Sequence, residues 1–86
     1  MNYTNYIPFY PGITISQALA STGLVDFGPQ GFIRSVAGIP IGGQTDVRLR
    51  YNGRVVPQTI LNSPAEPGSI VGLELINLTG AVPIPL

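Results

Sequence analysis

An α+β, β-dominated fold with one short helix and extended apolar segments at both ends follows from three features of the sequence. Helical punctuation occurs only around residues 13–23. Beyond them, short β-prone runs with two-residue alternation are separated by Gly, Pro and Asn-Gly turns. At both ends aromatic or aliphatic residues are interleaved with proline, which lacks the N–H and the freedom in φ that a helix interior needs. The chain divides accordingly into an extended N-terminal arm (1–12), a folded domain (13–77) and an apolar, proline-containing tail (78–86).

Each element has a local reason. The arm carries Tyr3, Tyr6, Phe9 and Tyr10 with prolines at 8 and 11, a composition that favours extended backbone, and it reads either as an edge strand of its own domain or as a docking segment. Thr14 is placed to cap a helix of about two turns, Gly23 to stop it in the left-handed region, and Ile15, Ala18, Leu19 and Thr22 to share one face. Strands follow. Residues 32–36 form the clearest early one, with Gly28-Pro29 and Gly42-Gly43 as turns. Residues 46–51 alternate strictly, Asn52-Gly53 supplies the two positive-φ positions of a type I′ hairpin turn, and Pro57 stops the return strand that begins at Arg54. After a turn at 64–68, residues 69–76 read as a central strand, with Val71, Leu73 and Leu75 on one face.

Composition restricts the chemistry. With 86 residues and no cysteine, the chain has a modest core and no covalent staple. Without histidine or lysine it also lacks the usual bases for serine nucleophiles and the imidazole and thiolate ligands of zinc, so the expectation is a non-enzyme with no cofactor and no bound metal. The four carboxylates, Asp26, Asp46, Glu66 and Glu74, have no apolar pocket motif around them to set up an acid–base pair. Charged residues make up 9% of the chain and the net charge is zero, which argues against nucleic-acid binding and removes the repulsion that keeps molecules apart. No apolar run is long enough to span a membrane, and the first twelve residues lack the pattern of a secretory signal. Asn2 and Asn77 each begin a glycosylation sequon, read here as chance matches.

Arg48 and Arg50 alternate with Val47, Leu49 and Tyr51, so they occupy the outer face of their strand. If the last strand pairs antiparallel beside them, Glu74 lies on that face as well. This patch is expected to be a cross-strand ion pair within the chain; the alternative is that it sets register between subunits.

The order of residues 11–19, 47–57 and 66–76 resembles the β-grasp layout, most closely the ubiquitin-like sulfur carriers of thiamine and molybdopterin synthesis and, after them, the soluble-ligand-binding modules of polysaccharide export. The resemblance implies a small β-grasp-like sheet over one helix. Two departures separate the chain from the carriers' chemistry. They end in Gly-Gly, where this chain reads Val82-Pro83-Ile84-Pro85-Leu86, and they begin with a full hairpin for which residues 1–12 are too short. A sheet short of one strand has an open edge that invites a strand from another chain. In overall character the chain is also similar to small subunits of bacterial surface and endospore appendages.

The expected function is a self-assembling structural subunit of a fibre, appendage or shell. Its partner would be itself, with Tyr3, Tyr6, Ile7, Phe9, Tyr10, Val82, Ile84 and Leu86 at the subunit interface and an extracellular, cell-surface or spore-surface location; without an export route the location is cytoplasmic. The alternative is a monomeric β-grasp binding module presenting a sheet edge or the Arg48/Arg50 patch to a protein or glycan.

Overall fold

Helix α1 (Ile15–Ala20) starts where the cap residue stands. In the structure, a computed structural model that describes residues 5–77, Thr14 has extended backbone. Its hydroxyl accepts from the Gln17 N–H at 3.1 Å, while its own N–H donates to Gln17 Oε1 at 2.9 Å, a complete capping box. The next two helical N–H groups find partners far along the chain: Ile15 donates to the Ser63 carbonyl and Ser16 to that of Leu61. This ties the helix start to the segment after the hairpin. Ile15 and Leu19 are buried, Ala18 and Thr22 half-buried, and Gly23 takes φ +75° just beyond the last turn.

Strands β1 (Val25–Phe27), β2 (Ile33–Val36) and β3 (Ile39–Pro40) form one antiparallel sheet in chain order. Residues 28–31 turn β1 into β2, and Ser35 donates to the Asp26 carboxylate across the pair at 3.1 Å. β2 and β3 are joined by only Ala37 and Gly38, whose φ values of +51° and +81° are those a two-residue hairpin turn demands. Alanine has no glycine-like access to that region; its Cβ crowds the following carbonyl at a cost of about 1–2 kcal/mol. Ala37→Gly, or Ala37→Asn, should therefore stabilise the fold by up to about 1 kcal/mol, read as a higher urea midpoint with unchanged slope. An unchanged or lower midpoint would mean that this turn is not strained.

The second sheet contains β4 (Thr45–Tyr51), β5 (Arg54–Val56) and β6 (Val71–Asn77), in the order β5-β4-β6 and antiparallel throughout. Asn52 and Gly53 close the β4–β5 hairpin with φ of +53° and +84°, a region that asparagine tolerates and glycine, lacking Cβ, enters freely. A short 3₁₀ turn (Gln58–Ile60) follows, and the Gln58 side-chain oxygen accepts from the Ile33 N–H at 2.9 Å, linking the two sheets.

One expectation is corrected for the described residues: among them β6 is not the central strand of its sheet. β4 holds the middle position, because the local turn places β5 on one side of it and β6 pairs along its whole length on the other, from Thr45↔Asn77 to Tyr51↔Val71. Among the described residues β6 has no second strand neighbour.

The core draws on every part of the domain: Ile15 and Leu19 from the helix, Val25 and Ile33 from the first sheet, Val47 and Leu49 from β4, and Leu61 after the 3₁₀ turn. The protein is thus small and β-dominated, with two three-stranded antiparallel sheets and one short helix. Those sheets do not by themselves establish a β-grasp.

Candidate assembly surface

Tyr10 and Ile13 are joined by a tight turn in which the Ile13 N–H reaches the Tyr10 carbonyl at 3.1 Å and Gly12 takes φ +91°. Ahead of this turn, residues 5–10 form no strand, so an edge strand within that stretch is replaced by irregular chain. Tyr6 is 93% exposed, Phe9 and Tyr10 are exposed, and Ile7 is half-buried. Tyr6, Ile7 and Phe9 line a groove with α1 and Ile70. Of the other expected interface residues, Tyr3, Val82, Ile84 and Leu86 lie outside the described residues.

A second groove, of about 670 Å³, runs between the first sheet and β6, lined by Val25, Val36 and Ile39 on one wall and Val71, Leu73 and Leu75 on the other. Asn5, Leu19, Thr22 and Val71 line both grooves. The loop leading into β6 is pinned to the hairpin: Tyr51 Oη accepts from the Glu66 N–H at 3.2 Å, and Asn52 exchanges hydrogen bonds with Ile70. That fastening leaves the Ile70 side chain 72% exposed.

The direction of the β6 backbone groups follows from pairing. A two-residue hairpin turn is flanked by a hydrogen-bonded pair, Tyr51 and Arg54, so the N–H and C=O of Tyr51 face β5 and those of Arg50 face β6. Arg50↔Gly72 and Arg48↔Glu74 are then the hydrogen-bonded pairs with β6, in step with the Asn52–Ile70 exchange. By the same alternation, Val71, Leu73 and Leu75 turn their backbone N–H and C=O groups away from β4, toward the side on which the described residues place no strand. Their side chains lie on the inner face opposite Tyr51, Leu49 and Val47, half-buried at Val71 and Leu73 and 39% exposed at Leu75.

On the outer face, Glu74 stands directly opposite Arg48, but its ion pair is with Arg50, whose Nε donates to Glu74 Oε1; Arg50 also reaches the Gly53 carbonyl. The cross-strand ion pair is thus diagonal. The hydrogen bond from Arg50 is the main reason the Glu74 carboxyl sits below its ordinary pKa, with the charges of Arg50 and Arg48 adding to it and partial desolvation opposing. A depressed carboxylate contributes stability that is fully present above its unfolded pKa and is lost as pH falls through the folded one. Glu74→Gln should therefore leave the acid limb of the stability curve shallower below the ordinary glutamate range and reduce its salt dependence, by a small amount typical of exposed pairs. Identical acid limbs for the two proteins would remove the pair from the balance.

Val71, Leu73, Leu75, Ile70 and Ile39 belong to this surface and were not expected there. The alternation of 69–76 was visible in the sequence, but alternation reports the face of a strand and not whether its edge is taken. The acidic side chains are scattered over β1, β4, the 64–68 turn and β6, and no group of three or more possible metal ligands occurs among the described residues. No helix among them is long and apolar enough to cross a membrane. Comparison with protein-family models, with characterised proteins and with solved structures gives no match.

Proposed function

We propose that this protein is a non-enzymatic, self-assembling structural subunit of a fibre, appendage or shell, polymerising through its sheet edge and its terminal segments. The observation that carries this reading is the side of the seven-residue strand β6 on which the described residues place no strand, where Val71, Leu73 and Leu75 face a groove walled by Val25, Val36 and Ile39. An exposed edge of that length is a template for strand addition, and natural proteins commonly blunt such edges with lysine, proline or a covering loop. Here the chain has no lysine, and no proline lies within β6. In this reading α1 and the β5-β4-β6 sheet form a β-grasp-like unit short of one strand. The 9% charge content and zero net charge favour association further, and a location on the cell or spore surface, or otherwise outside the cell, belongs to the same reading.

Negative-stain electron microscopy of the purified protein, together with its elution on a sizing column, is the test. Regular filaments or shells are expected. A single 9.1 kDa species at all concentrations would overturn the proposal.

A second reading rests on a different observation: Arg48 and Arg54 are exposed and make no ion pair among the described residues. A monomeric binding module using the hairpin, with Arg48 on its outer face and Arg54 on the face of Tyr51, for a protein or glycan would remain a single copy and bind in a strongly salt-dependent manner.

A further inference from the structure

Building on that assembly reading, we propose that the occupant of the β6 edge is the tail of a second copy, residues 82–86, added as an antiparallel strand. The argument is one of parity. The edge presents N–H and C=O groups at every second residue, Val71, Leu73 and Leu75. A strand added there must offer its own backbone groups at every second residue and is free to lack them in between. Val82-Pro83-Ile84-Pro85-Leu86 has that pattern. Its two prolines are two residues apart and fall on one side of an extended chain, so Val82, Ile84 and Leu86 keep a complete set of donors and acceptors on the other.

In the antiparallel arrangement residues directly opposite each other share a face. Val82, Ile84 and Leu86 opposite Leu75, Leu73 and Val71 therefore turn their side chains into the groove walled by Val25, Val36 and Ile39. Pro83 and Pro85 turn outward, and the new edge, lacking N–H groups, resists a further strand. Each copy then accepts one tail and donates one. Such a head-to-tail contact propagates as a filament unless its rotation closes a ring.

The same chain is the less suitable donor, because turn chemistry and register conflict. A three-residue reversal at Leu78-Thr79-Gly80 puts glycine at the left-handed third position, but it sets Pro83 opposite Leu75 and Pro85 opposite Leu73, where the missing N–H is needed. A two-residue reversal at Leu78-Thr79 keeps the register but demands hairpin-turn backbone from leucine and threonine. Only a four-residue reversal, 78–81, competes, and the experiment separates it.

Ile84→Pro in the full chain removes a donor from the pairing side, whereas Pro85→Ala leaves that side intact. The expected result is that Ile84→Pro needs at least about tenfold more protein to assemble, one lost ladder contact being worth roughly that factor, while Pro85→Ala assembles at the unaltered concentration. Amide hydrogen exchange at Val71, Leu73 and Leu75 should be slowed in assembled wild-type protein and fast in Ile84→Pro, with the β4 amides confirming that the variant is folded. A synthetic peptide of residues 78–86 should slow it again in the variant. Assembly of Ile84→Pro at the wild-type concentration would overturn the tail proposal and leave the assembly reading standing. Slow exchange at those amides in dilute single copies of wild type would overturn it in favour of the chain's own tail. Single copies with fast exchange at every concentration would overturn both readings.

Discussion

Leu49→Ala should lower folding stability by about 2–5 kcal/mol, enough to leave a large unfolded fraction in a domain whose total is on the order of 5–15 kcal/mol. Leu49 is 1% exposed and sits in the middle strand of its sheet, opposite Val56 on one side and Leu73 on the other. Its side chain belongs to the cluster where helix, both sheets and Leu61 meet. Truncation removes three carbons and leaves a void flanked by a paired strand on each side, so the site cannot easily collapse. The urea midpoint should fall sharply with little change in slope. Val55→Ala is the comparison: Val55 is 55% exposed on the short β5 strand, and its truncation should change the midpoint by about 0.5 kcal/mol or less. Similar effects for the two substitutions would mean that β4 is not the centre of the core.

Leu75→Lys should prevent assembly while leaving a folded protein. Leu75 lies on the inner face of β6 opposite Val47, close enough to the groove rim to be 39% exposed, so a lysine stem can reach solvent from there. In an assembled form the ammonium group would have to be buried beneath the added strand or displace it. Loss of one apolar contact of leucine size corresponds to about 1.5–3 kcal/mol, or on the order of 10- to 100-fold in the concentration needed for assembly. Sedimentation of the variant across that concentration range reads the effect directly. Val55→Lys, which adds the same charge on a different strand, should assemble as the unaltered protein does. If Leu75→Lys assembles normally and Val55→Lys does not, the interface lies at β5 instead.

Several elements were legible from residues a few positions apart. The capping box needs only Thr14 and Gln17, and the hairpin needs only Asn52-Gly53 between alternating runs. Gly38 marks a turn in the sequence, but its two-residue hairpin form does not show there, because alanine carries no preference for positive φ; the short β2–β3 pairing imposes it on Ala37. Arg48 and Arg50 were both placed beside Glu74, yet the register alone favours Arg48, the direct neighbour. Arg50 takes the carboxylate by reaching diagonally, past Gly72, which has no side chain in its way.

By itself the sequence determined a β-dominated domain with one capped helix, a tight hairpin, low charge and no histidine, lysine or cysteine for chemistry. Tertiary structure alone decided that the strands divide into two sheets and that, among the described residues, β6 stands at the rim of one of them with a groove beside it. The physical reason is that a two-residue period records which face of a strand is apolar. It carries no mark of which strand occupies the neighbouring ladder, and that is settled by the competition among all strands for one another's backbone groups.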